Sequence, residues 1–96
     1  MSPKNKKKLE IIRAKLDKLD NRLLLSIKYR TELVKEVLKL KEFKKEIIDK
    51  KRISFILRKI QGKSKKLKID PKISYRIWKN MIWSYIDYEK RNFKKK

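Results

Sequence analysis

Between Lys4 and Gln61 the chain contains neither glycine nor proline, and the whole sequence holds one glycine, Gly62, and two prolines, Pro3 and Pro71. Nothing in that stretch breaks a helix strongly, which confines the chain to an almost wholly helical fold. From Leu9 onward, positions 9, 12, 16, 19, 23, 26, 30, 33, 37 and 40 step by three and four and read Leu, Ile, Leu, Leu, Leu, Ser, Arg, Leu, Val and Leu. That periodicity predicts one long amphipathic helix. Its end is less sharply marked. Lys41 to Lys45 is polar and the β-branched pair Ile47 and Ile48 weakens helix propensity, which places a short connection at roughly 43 to 48.

Asp49 can cap a second helix whose apolar positions Ile53, Ile56, Leu57 and Ile60 recur at helical spacing. Gly62, just past Gln61, suits its C-terminal stop, leaving Lys63 to Lys68 as a charged linker. Asp70 followed by Pro71 is an N-cap with proline at the first helical position. The third helix then carries a stripe of Ile73 or Ser74, Ile77 with Trp78, Met81 with Ile82, Tyr85 with Ile86, and Glu89.

A first helix of ~36 residues would span ~54 Å, well beyond the ~30 Å width of a small domain. Two shorter helices cannot cover it. Half of its apolar stripe stays wet unless a second copy packs there, so the expected form is a twofold dimer of crossed three-helix chains. A rod-like coiled coil is the competing form, disfavoured because Ser26 and Arg30 interrupt the seam. The expectation is thus an all-α fold with one long and two shorter helices per chain. Residues 1–96 form one domain, with basic tails at about 1–7 and 92–96.

With no cysteine and no histidine, disulfide scaffolds, Cys/His zinc sites, thiol nucleophiles and Ser-His pairs are excluded. Chemistry must come from Arg, Lys, Glu, Asp and Tyr. No apolar run reaches the ~20 residues of a membrane helix and no signal-peptide hydrophobic region follows the basic start, which reads as cytoplasmic. The net charge of +21 points first to nucleic acid or an anionic membrane surface. Much of it lies in solvated lysine runs, Lys6 to Lys8, Lys65 with Lys66, and Lys94 to Lys96. A lysine excess beside 13 isoleucines also fits an AT-rich coding bias. The seven arginines are more informative, because guanidinium grips carboxylates in a bidentate way.

Several of them break the apolar pattern. Arg30 lies in line with Leu23, Leu33 and Val37, and a charge on such a stripe needs an anion. That anion could be a ligand or a carboxylate of a partner chain. Lys41 lies eleven residues later on the same side of the helix, although it also fits a lysine-rich helix end. Arg13 flanks Ile12 and Leu16, or is ordinary surface. Arg52, one turn before Ile56, could reach between helices. Glu89 follows Trp78, Ile82 and Tyr85 on the third helix's inner side, or ends the stripe in water. Together these groups would make a cationic pocket for a small dianion.

At these residues the chain resembles the all-helical chorismate mutase family across nearly its whole length. Ile12-Arg13, Leu19-Asp20, Arg30, Glu32-Leu33-Val34 and Lys41 resemble the family's first helix. Asp49-Lys50-Lys51-Arg52 with Ile56-Leu57 resembles its second, and Arg76-Ile77-Trp78 through Ile82 to Glu89 its third. The resemblance implies an intertwined homodimer and an isomerase that converts chorismate to prephenate without metal or cofactor. Arg13 from the neighbouring chain and Arg30 would hold the two carboxylates. Arg52 would assist at the ring, Lys41 and Glu89 would flank the ether oxygen, and Asp49, Ile53 and Tyr85 would complete the substrate-binding set.

Two positions depart from the family. Glutamate commonly follows the second-helix arginine, where this chain has Ile53, and a small polar residue commonly stands where it has Tyr85. Both changes resemble the related isochorismate pyruvate lyases, and they leave open a catalytically inactive regulatory homologue. Glu89 replaces the commoner glutamine, and a carboxyl group donates to an ether oxygen only while it carries its proton. The alternative of another class is a basic helical nucleic-acid-binding protein. Nucleic acid is not the expected partner, since a phosphate-binding surface has no need of arginines on apolar stripes.

Overall fold

The computed structural model describes residues 1–94 as helices joined by short connections. The order is α1 (Pro3–Leu40), a 3-10 turn (Lys44–Glu46), α2 (Lys50–Lys66) and α3 (Pro71–Asn92), with no strand among the described residues. The last two lysines of the basic C-terminal run, at 95 and 96, lie outside them. By internal contacts the chain forms two compact units, Met1–Leu33 and Val34–Lys96.

The first unit is helical from Pro3, six residues before the apolar stripe begins. Ser2 accounts for the early start, because its Oγ accepts the Asn5 N–H at 3.2 Å and Pro3 occupies the first helical position. Ile12, Leu16, Leu19, Leu23 and Leu33 of the predicted stripe are all exposed in the single chain.

The second unit holds the core. Ile47, Ile82 and Ile86 are buried, with Leu38, Ile48, Ile53, Ile56, Leu57 and Phe93 packed around them. The connection after α1 runs from Lys41 to Asp49, longer than the sequence suggested, and it is not merely a loop. Ile47, expected only to weaken a helix, is 3% exposed and plugs the space between α2 and α3.

Asp49 caps α2 by accepting the Arg52 N–H at 3.0 Å, and Asp70 caps α3 by accepting the Lys72 N–H at 3.0 Å. The expected stop at Gly62 is overturned: α2 runs through it to Lys66. Glycine in a helix interior costs only about 1 kcal/mol, and the lysines beyond it are good helix formers. The helix ends instead in a Schellman motif, with Ile69 N–H on Ser64 O at 2.9 Å and Lys68 N–H on Lys65 O at 3.2 Å. Lys68 takes the left-handed conformation, φ 59°, that glycine usually fills. The charged linker of 63 to 68 therefore shrinks to residues 67 to 70.

On α3 the buried face takes Ser74, Ile82, Ile86 and Glu89, while Ile73 and Ile77 are exposed. Of the paired stripe positions left open by the sequence, Ser74 and the half-buried Trp78 are the inner ones.

Candidate functional site

Two of the predicted site residues meet in the second unit. Lys41 emerges just past the end of α1, and its Nζ donates to Glu89 Oε2 at 2.7 Å. Glu89 is the last buried position of α3, with only 7% of its surface exposed. Exposure of the two side chains is 17% and 9%, so the pair sits in a poorly hydrated place where a lone charge would be costly. Lysine and glutamate 48 positions apart meet here because Ile47 pins the connection onto Ile82 and Ile86 of α3.

Lys41 also lines an open hollow of about 570 Å³ with Glu46, Ile48, Asp49, Lys50 and Lys51. Asp49 therefore has two neighbours of consequence: its carboxylate holds the start of α2 and its position faces the same hollow as Lys41. A second hollow of about 310 Å³ near the end of α3 contains none of the predicted site residues.

Ile53 is half-buried against the isoleucine core, where it offers a hydrocarbon wall and no hydrogen-bond acceptor. Tyr85 is half-buried one turn before Glu89 on α3. Arg52 is exposed, and its guanidinium carbon lies 5.4 Å from the ring centre of Phe55. In the first unit Arg30 is half-buried and Arg13 is exposed. Phe55 was not singled out in the sequence, although a phenylalanine among cations on the polar face of an amphipathic helix is a visible signal.

Chemically the second unit presents a cation and a carboxyl side by side at a partly dry position. Such a pair can hold a small polar group between two hydrogen-bonding atoms. No cluster of three metal-binding side chains occurs among the described residues, and no helix there is long and apolar enough to cross a membrane.

The sequence profile of the family described as chorismate mutase type II matches residues 12–90. The match spans α2 entirely, most of α1 and α3, and every predicted site residue from Arg13 to Glu89. No curated protein and no solved structure is significantly similar to the chain.

Proposed function

The chain belongs to the chorismate mutase type II family, and from that premise we propose that it rearranges chorismate to prephenate on the route to phenylalanine and tyrosine. The observation that carries this reading is the ion pair between Lys41 and Glu89 at 2.7 Å. These are the two positions that the family resemblance assigns to the substrate's ether oxygen. The rearrangement is intramolecular, so it calls for no nucleophile, base or metal.

The chain's residues would act in three ways. Arg30 and the Arg13 of a second copy would grip the two carboxylates, using the planar fork that only arginine offers, and Arg52 would assist on the ring side. Holding both carboxylates folds the flexible enolpyruvyl arm over the ring, which removes most of the entropic part of the barrier. Lys41 would then place an N–H where negative charge grows on the breaking C–O bond, with Glu89 as second donor while protonated. The substrate's ether oxygen would enter between the two paired groups.

A second copy is part of the proposal. Ile12, Leu16, Leu19 and Leu23 are each about half exposed in the single chain, a stripe that an intertwined homodimer would cover. A cytoplasmic location fits this assignment.

A second reaction on the same fold is favoured by Ile53, which packs in the core and cannot accept a hydrogen bond from a ring hydroxyl. An isochorismate pyruvate lyase needs no acceptor there. Incubating the protein with chorismate and, separately, with isochorismate distinguishes the two readings. Prephenate from the first is the expected result; salicylate from the second with no prephenate would replace the mutase by the lyase. Neither product from either substrate sinks both.

A further inference from the structure

Nine lysines and arginines and no acidic residue lie between Asp49 and Asp70, and the proposed reaction uses only Arg52 of them. On α2 they are sorted by face. Ile53, Ile56 and Leu57 turn inward to the core, and Ser64 is buried. At 3.6 residues per turn, Arg52, Lys59, Lys63 and Lys66 fall within ~60° of one another on one flank of the helix, roughly 110° round from the mean direction of those inward residues, along ~21 Å of helix. All four are exposed.

An aromatic ring sits in this row. Phe55 is 47% exposed, with Arg52 Cζ 5.4 Å and Lys59 Nζ 5.8 Å from its centre. Two turns further along the same line is Gly62, where a Cβ would meet nothing within 4 Å. The row thus offers cations at one-turn and two-turn spacing, a half-exposed ring and a patch of bare helix.

We propose that the outer face of α2 binds single-stranded nucleic acid, with Lys59, Lys63 and Lys66 on successive phosphates and a base stacked on Phe55. A positive groove or stripe with an aromatic platform is the recurring means of holding unpaired strands, since every base has a π face. Duplex would leave Phe55 unused because its bases are already stacked. A lipid surface fits less well, because the apolar face of α2 is occupied by the core and cannot enter a membrane. The objection that phosphate binding does not need arginines on apolar stripes concerns α1; the lysines here lie on a separate polar face.

The test is fluorescence anisotropy with a labelled mixed-sequence 20-nucleotide RNA strand, titrated with full-length protein from 50 to 200 mM salt. Three phosphate contacts predict a log–log slope of about −2 and roughly a 20-fold loss of affinity over that range. The triple variant Lys59→Ala, Lys63→Ala, Lys66→Ala should bind at least tenfold more weakly with the slope reduced by about 2. Phe55→Ala should lose about tenfold with an unchanged slope. Helicity by circular dichroism and turnover of chorismate should be unaltered in the triple variant, since none of its positions belongs to the proposed active site. Polyglutamate and phosphatidylserine vesicles serve as competing anions. Wild-type affinity in the triple variant, no binding near physiological salt, or equal affinity for polyglutamate or vesicles would each overturn the proposal.

Discussion

Lys41 Nζ donates to Glu89 Oε2 across 2.7 Å, tying the first residue after α1 to the last buried position of α3. Neither partner tolerates loss of the other equally. Removing the lysine leaves a buried carboxylate without its counter-charge, whereas replacing the carboxylate by an amide keeps an acceptor for the ammonium group. Lys41→Met should therefore destabilise the protein by about 3 kcal/mol, and Glu89→Gln by about 1 kcal/mol or less. The double variant should lose less than the two single losses combined. Urea denaturation of all four proteins checks this, and strictly additive losses would show that the pair is not coupled.

The same contact bears on catalysis through Glu89's proton. In the free protein the carboxyl partners an ammonium group, yet only its protonated form can donate to an ether oxygen. Glu89→Gln places an N–H donor at the same position and should keep or raise kcat for chorismate relative to the wild type. Steady-state rates of both proteins decide the matter; a hundredfold loss on Glu89→Gln would show that no donor is needed there.

Arg30 offers a cleaner separation of chemistry from folding. It is half-buried in the first unit, among leucines that are themselves exposed in the single chain. Arg30→Ala should lower kcat/KM for chorismate by a hundredfold or more, as expected for removal of a charge-assisted bidentate hydrogen bond of about 3 kcal/mol. Sedimentation should still report a dimer. Retained turnover would detach Arg30 from the substrate.

What the sequence made legible depended on how local the determining physics was. The caps at Asp49 and Asp70 involve an amide two or three residues away, and both are as the local pattern predicts. The inner face of α3 was readable as far as Glu89 because periodicity alone sets it. Gly62 misled because a weak local breaker was outweighed by its helix-forming surroundings and by the hydrogen bonds of the turn at Lys68. Ile47 was passed over because its burial comes from Ile82 and Ile86, far along the chain, and a single apolar residue in a loop has no period. The nearness of Lys41 to Glu89 was suggested loosely, as members of one cationic pocket, and more closely by family resemblance. Spacing within one helix says nothing about a partner on another.

The stop of α2 gives a last test, at a glycine that serves no turn and a lysine that stands where glycine would be at ease. Gly62 lies within the helix, with open space where a Cβ would stand, so it brings the entropic cost of glycine without serving a turn. Lys68 stands in the left-handed conformation, φ 59°, where a side chain is disfavoured and glycine is at ease. Gly62→Ala should stabilise the protein by about 0.5–1 kcal/mol, and Lys68→Gly should do so by a similar amount by relieving the turn. The sites are six residues apart with no shared hydrogen bond, so the gains should add in the double variant. Chemical denaturation reads both effects. A loss on Gly62→Ala would mean that α2 ends at Gly62 after all, and a loss on Lys68→Gly would mean that the residue is not left-handed.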